Sequence, residues 1–354
     1  MSRKDIYYWK CDRPSAFHGT QTRGEPDLTL QSQLTEELQN YFRCDSVVLS
    51  AGGGQGNHLT WVGRVDGKEM FVRVENGPEM DGQLAVESAV LELVREAGVS
   101  TPRVYGCDAS RGRVPFAWQA LEKISAPDLN HWHKQGVLEL PNIAFAIGVA
   151  VAKWQTLTLP GMGVLDGSLK GFHSKYEDYF RLRLDQHLGF LVQRDLLTLP
   201  ERSAIDAVIN EHASLLRIEH GYFVHKDLAL WNILGTESEI RAFIDFDDAI
   251  SGDPMDDLSL LACFHDAAFL ERAFDGYQSV RPLPREYRRR FWLHLLRNMI
   301  VKAVIRVGAG YFDRAGDFFL LGTGGGGEAL RRFTQARLNL ALEGLQNNSD
   351  LSIL

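Results

Sequence analysis

Val224-His225-Lys226-Asp227-Leu228-Ala229-Leu230-Trp231-Asn232-Ile233-Leu234, with Phe243-Ile244-Asp245-Phe246-Asp247-Asp248 close behind it, is the stretch on which the fold turns. The pattern His-x-Asp-x-x-x-x-Asn sets a carboxylate and an amide at the two ends of one loop. Short strands are expected at 233–234 and 242–244, which leaves Asp245 at a strand end, thirteen residues beyond Asn232. Phosphoryl transfer needs a carboxylate at the attacking hydroxyl and oxygen ligands for Mg²⁺, which prefers carboxylates and phosphate oxygens in octahedral geometry. Asp227, Asn232 and Asp245 supply three such side chains at one point.

Gly252-Asp253-Pro254-Met255-Asp256-Asp257-Leu258 follows directly. With this third motif the chain resembles the aminoglycoside phosphotransferase/choline kinase family of small-molecule kinases, relatives of the protein kinases. The resemblance covers roughly residues 35–275. It implies an α+β, bilobal protein-kinase-like fold, with a small antiparallel-sheet lobe holding one helix and a larger, mainly helical lobe. It implies ATP and Mg²⁺ as cofactors, Asp227 as catalytic base, and Asn232 and Asp245 as metal ligands. Asp257 is implied to tie the catalytic loop to a helix.

The first third of the chain agrees. Strands are expected at 46–49, 59–65, 70–74, 104–105 and 116–121, with a helix over 81–97 stopped by Gly98. Asp66-Gly67 signals a hairpin whose turn reads as slightly longer than two residues. Ala51-Gly52-Gly53-Gly54-Gln55-Gly56-Asn57 lies between two strands, and glycines let backbone N–H groups approach phosphates closely. The run lacks a Gly-Lys-Ser/Thr ending, and no strand-to-helix G-x-G-x-x-G is present, so ordinary P-loop and Rossmann readings fail. The resemblance makes Gly52, Gly53, Gly54, Gly56 and Asn57 the glycine loop over the nucleotide. It makes Arg73, in Phe71-Val72-Arg73-Val74, the phosphate-binding cation, where the family usually has Lys. Glu87 is its implied ionic partner. Trp118-Gln119-Ala120-Leu121-Glu122 resembles the hinge, with the adenine edge at Gln119 to Leu121.

Some residues depart from the family pattern. Lys226 replaces a small residue between the His and the Asp, and Trp231 precedes Asn232. Trp154-Gln155 stands where Leu-His is frequent. Two readings of Lys226 stand: a catalytic cation beside the transferred phosphoryl group, or a solvated side chain.

The 354 residues suggest two units, divided at 1–33 (an irregular N-terminal arm), 34–121 (the nucleotide-binding lobe) and 122–354 (the helical lobe with the acceptor site). Helices are expected at 30–42, 141–158, 172–195, 201–218, 255–275, 284–308 and 327–345, with a flexible loop at 322–327. A net charge of −8 argues against bulk nucleic-acid binding. The longest apolar run, 143–152, is half a membrane span. Four scattered cysteines without a CxxC pair, and no apolar leader after Met1, fit a cytoplasmic protein. His131-Trp132-His133 lacks the partners of a zinc site. Arg288-Arg289-Arg290 reads as a solvated helix face.

The expected partners are a nucleotide and a small-molecule hydroxyl acceptor. Between residues 281 and 343 there are twelve Lys/Arg and five Asp/Glu. That basic excess favours a neutral or anionic acceptor, sugar-like or polyol, over a polycationic aminoglycoside. An antibiotic phosphotransferase and a catalytically silent nucleotide-binding module are the alternatives. The eleven residues between Asp245 and Asp257 leave no room for the activation segment of a protein kinase.

Overall fold

Alternation of apolar and polar residues builds the first sheet in the computed structural model, which describes residues 2–12, 28–52, 58–77, 80–315 and 326–354. Its strands are β1 (Val47–Ala51), β2 (Leu59–Val65), β3 (Lys68–Glu75), β4 (Val104–Asp108) and β5 (Ala117–Glu122). All pairs are antiparallel, in the order β1-β2-β3-β5-β4. Asp66 and Gly67 both have positive φ, and Val65 pairs with Lys68. The turn therefore has two residues, tighter than the sequence suggests, and its mirror-image backbone suits the strand twist.

Val47, Leu49, Trp61, Met70, Val72, Val74 and Trp118 pack under Leu30, Leu34 and Leu38 of α2 (Leu28–Phe42). α3 (Gln83–Glu96) instead turns Val86, Val90, Leu91 and Val94 into the larger core. Gly98, at positive φ, ends it as expected.

The larger lobe is built on α4 (Leu129–Lys134), α5 (Leu140–Trp154), α6 (Tyr176–Phe180), α7 (Leu184–Gln193) and α8 (Leu199–Glu211). It continues with α9 (Met255–Leu261), α10 (Ala267–Gln278), α11 (Tyr287–Gly308) and α12 (Gly326–Asn347). Two expected helices are broken. Over 172–195, Arg183 in the left-handed region separates α6 from α7. Over 255–275, the Asp266 side chain accepts the Phe269 N–H and starts α10 afresh. A second sheet, absent from the sequence reading, joins β6 (Thr158–Leu159), β9 (Gly221–Val224), β12 (Ile250–Gly252), β7 (Met162–Leu165) and β8 (Gly171–His173) in that order. β10 (Ile233–Gly235) and β11 (Ile240–Phe243) are the two expected short strands, paired antiparallel as a hairpin.

Residues 2–12 are not a loose arm. Tyr7 and Tyr8 are buried in the larger core, and Asp12, on the short helix α1 (Trp9–Asp12), accepts their N–H groups at 2.7 and 3.1 Å. The Tyr179 hydroxyl donates to the Tyr7 carbonyl at 2.7 Å, and Arg183 Nε to the Asp5 carbonyl at 2.8 Å. Among the described residues no helix is long and apolar enough to cross a membrane.

Candidate active site

β9 and β12 run side by side, with Val224 opposite Ile250. The catalytic-loop motif leaves the end of β9, and the Gly-Asp-Pro segment follows β12. Asp257, fully buried at the start of α9, joins them: its carboxylate accepts the His225 N–H and the Lys226 N–H at 3.0 Å each. Trp154 Nε1 donates to it at 3.0 Å as well. These bonds hold Lys226 at φ +71, a conformation that costs a side-chain-bearing residue roughly 1 kcal/mol. That backbone requirement explains why a small residue suits position 226.

His225 is locked by its two ring contacts. Nε2 faces the Ile244 carbonyl at 3.1 Å, so it donates, and Nδ1 accepts the Asp227 N–H at 3.3 Å. The loop thereby delivers Asp227 to one point with Asn232 and Asp245. Asn232 Nδ2 donates to the Asp227 carbonyl at 2.8 Å and to Asp227 Oδ2 at 3.1 Å. Its own carbonyl accepts the Ile244 N–H at 3.0 Å, which sets Asp245 alongside. With the amide nitrogen turned to Asp227, Asn232 Oδ1 receives no hydrogen bond among the described residues. Asp245, at φ +66, keeps its side chain 33% exposed. One amide oxygen and one partly open carboxylate suit Mg²⁺, which takes few protein ligands and completes its shell with phosphate oxygens and water.

The small lobe contributes the cation. Arg73 on β3 pairs with Glu87 on α3, as the sequence reading expects. It also donates to Asp245 Oδ1 at 3.1 Å, lies 3.9 Å from Asp247 and contacts His58 Nδ1 at 2.8 Å. Burial opposes its charge, but Glu87, Asp245 and Asp247 outweigh burial and hold the guanidinium protonated. Gly52 packs so closely on β2 that a Cβ would meet the Thr60 carbonyl carbon and oxygen at 2.9 Å. Its N–H donates to that carbonyl at 2.8 Å. Gly53, Gly54, Gly56 and Asn57 lie outside the described residues.

Three expectations need correction. Gln119, Ala120 and Leu121 lie in mid-strand, paired with β3 on one side and β4 on the other. Their backbone groups are taken by the sheet, so they do not present an edge for adenine. The first backbone clear of both neighbouring strands is the segment 123–127. Gln119 turns its side chain to Ser88 Oγ at 2.8 Å and acts as a strut to α3.

Lys226 is not solvated, and among the described residues its ammonium pairs with Asp256 rather than with Asp227. It is 2% exposed, with Nζ 2.7 Å from Asp256 Oδ2 and 3.1 Å from both the Tyr7 hydroxyl and Asn298 Oδ1. Its charge serves the lobe interior. Arg290 departs from the expected solvated face: half-buried, it pairs with Asp253 and donates to the Leu215 carbonyl at 2.8 Å, whereas Arg289 is exposed.

The cations that do meet Asp227 were not found from the sequence. Lys302 Nζ on α11 donates to Asp227 Oδ1 at 3.0 Å and to the Tyr8 hydroxyl at 3.3 Å. Lys10 Nζ, from the N-terminal segment, lies 3.5 Å from Asp227 Oδ2 with its side chain 36% exposed. Burial alone would raise the Asp227 pKa; Lys302 and Lys10 reverse this and hold the carboxyl far below the ordinary range. A signal for Lys302 exists: His294, Asn298, Lys302 and Arg306 recur every four residues in a stretch of α11 whose other residues, Arg297 apart, are apolar. Nothing comparable marks Lys10.

The fold has counterparts. The model of the phosphotransferase enzyme family matches residues 48–293, more than two-thirds of the chain. No curated protein matches by sequence. Among solved structures, the chain is similar to the aminoglycoside phosphotransferase APH(4)-Ia, with 16% identity, 88% of this chain and 98% of that one covered, and a TM-score of 0.62. It is also similar to a protein assigned as a fructosamine-3-kinase from Haemophilus somnus 129PT (15% identity, 89% and 100% covered, TM-score 0.62). A third is the macrolide 2'-phosphotransferase MphH from Brachybacterium faecium (16% identity, 86% and 97% covered, TM-score 0.55). A thermostable variant of the first has been solved with AMP-PNP and hygromycin B. Identities this low speak for the fold: bilobal and protein-kinase-like.

Proposed function

The chain belongs to the phosphotransferase enzyme family, and on that premise we propose that it moves the γ-phosphoryl group of ATP to a hydroxyl of a sugar-like or polyol metabolite. The observation that carries this reading is the meeting of Asp227, Asn232 and Asp245 through the bonds of one loop and one hairpin.

Adenine binds at the backbone of 123–127, between the lobes. Arg73, oriented by Glu87, and the loop that begins at Gly52 take the phosphates. Asn232 Oδ1 and Asp245 would hold Mg²⁺, which supplies charge neutralisation on the phosphate oxygens. Asp227 orients the acceptor hydroxyl. As that oxygen forms its bond to the γ-phosphorus, the bond to the ADP oxygen breaks and the hydroxyl proton passes to the carboxylate. Lys302 holds Asp227 Oδ1 and Asn232 donates to one side of Oδ2, so the acceptor enters at Oδ2 in place of the longer Lys10 contact. Lys10 is then free to face the transferred phosphoryl group. Correct placement is worth on the order of 7–11 kcal/mol of barrier in such reactions.

Two ammonium groups at Asp227 disfavour a polycationic acceptor. The fold neighbours' names span an aminoglycoside, a macrolide and a fructosamine, so they do not narrow the choice. The test is ADP release over sugars, polyols, amino alcohols and antibiotics, with Mg·ATP binding followed by calorimetry. Mg²⁺-dependent binding that weakens about tenfold or more in Asp245→Asn, with turnover of a hydroxyl acceptor, is expected. Binding indifferent to Mg²⁺ and to Asp245→Asn contradicts the reading.

A further inference from the structure

The polar stripe of α11 has one member per turn: His294, Asn298, Lys302 and Arg306, all buried. Three of them meet an acid. His294 Nε2 lies 3.5 Å from Asp253 Oδ2, and Asn298 Nδ2 donates to Asp256 Oδ1 at 2.9 Å. Lys302 Nζ is 3.0 Å from Asp227 Oδ1. The fourth member meets none. Arg306, 1% exposed, donates Nη1 to Thr334 Oγ1 at 2.9 Å, while its Nη2 is buried with no acceptor among the described residues.

Arg337 repeats the pattern from the facing helix. It lies three residues beyond Thr334 on α12, is buried, and has Nη1 without an acceptor. Among the described residues neither guanidinium forms an ion pair with a carboxylate. Their shared neighbour is the Phe333 ring, 5.9 Å from the Arg306 guanidinium and 5.2 Å from that of Arg337. Burial, with Arg337 adding repulsion, pushes Arg306 down to about 10. Asp266 partly offsets the burial of Arg337 from beyond ion-pair distance, and among the described residues no carboxylate offsets that of Arg306; buried charge so weakly compensated is among the costliest arrangements a fold can hold. Guanidinium nitrogens match the oxygens of phosphate and carboxylate in pairs. Lys302, Arg306 and Arg337 also lie beyond residue 293, past the span matched to the family.

We propose that Arg306 and Arg337 form an oxyanion subsite, so that the acceptor carries a phosphate or carboxylate group bound there while its reacting hydroxyl lies on Asp227. The subsite rests on the kinase reading given above. It lies one helical turn, about 5–6 Å, along α11 from Lys302, so the acceptor spans a short polyol chain or a single sugar ring.

The test is ADP release with matched acceptors: a sugar or polyol, its phosphate ester and the corresponding sugar acid. The two charged forms separate a phosphate from a carboxylate as the source of the oxyanion. The chain is expected to favour one charged form over the uncharged one by about 100-fold in kcat/KM, expressed mainly in KM. Arg306→Met and Arg337→Met each raise that KM about tenfold or more, and Arg306→Lys restores part of the loss. Equal use of the uncharged acceptor overturns the proposal, as does an Arg306→Met enzyme that keeps the preference. A second measurement decides the matter even if no acceptor in the panel reacts. Inorganic phosphate is titrated into protein saturated with Mg·AMP-PNP. Saturable binding that Arg306→Met and Arg337→Met abolish supports the subsite, and no binding overturns it. Failure to bind Mg·AMP-PNP strikes at the kinase reading, and the difference in phosphate binding between the parent chain and the two variants then still decides the subsite.

Discussion

Asp227 carries two ammonium contacts of unequal length, 3.0 Å to Lys302 and 3.5 Å to Lys10. The short contact is made by a side chain fixed in a helix; the long one is made by a partly exposed side chain from the N-terminal segment. Lys10→Met is therefore expected to lower kcat about 10- to 100-fold, with Mg·ATP affinity nearly unchanged. Steady-state kinetics beside calorimetric nucleotide binding checks it. A change in ATP affinity with kcat intact contradicts the role. Asp253 shows the structural use of charge in the same lobe. Burial opposes its ionisation, but His294 and Arg290 outweigh burial and bring its carboxyl down to about 2. A lowered carboxyl stabilises the fold above its unfolded pKa, near 4. That contribution is lost as pH falls through about 2. Asp253→Asn should cost roughly 2–3 kcal/mol at pH 7 and less at pH 3. Urea unfolding at the two pH values measures this.

At the scale of elements, a tight requirement lies where α5 crosses α10. A Cβ on Gly148 would collide with the Ala273 carbonyl, and one on Gly276 with the Phe145 carbonyl. The glycine that interrupts the apolar run 143–152 thus marks a close helix crossing. Gly148→Ala is expected to destabilise by about 1–3 kcal/mol or more. Gly167→Ala, where a Cβ meets open space, should stay within about 0.5 kcal/mol. Thermal unfolding of the two variants makes the comparison. Elements with a strong period were legible in the sequence: α3, α5, α11, α12 and the strands of the first sheet. The second sheet was not, because its strands have two to four residues and no period can be read over so few. The breaks at Arg183 and Asp266 were missed because tertiary contacts and a single cap, rather than a change of period, end those helices.

At the scale of the molecule, motif spacing points to Asp227, Asn232 and Asp245 as one group, and the structure links the loop carrying Asp227 and Asn232 to the residue before Asp245 by short-range bonds. Residues whose roles depend on distant packing were misread or missed. Lys226 belongs to an interior network with Asp256, Tyr7 and Asn298, and Lys10 reaches Asp227 across 217 residues. No local pattern encodes such meetings. The N-terminal segment is consequently part of the enzyme. Removing residues 2–12 would expose the core that Tyr7 and Tyr8 fill and should lower both the melting temperature and turnover, whereas Lys10→Met lowers turnover alone.

The most direct measurement is single-turnover transfer from Mg·ATP to a reactive acceptor by the parent chain and by Asp227→Asn, with nucleotide affinity determined in parallel. The account predicts that the variant binds Mg·ATP within a few-fold of the parent and loses at least about 100-fold in the rate of transfer. Transfer at the parent rate by Asp227→Asn would contradict it.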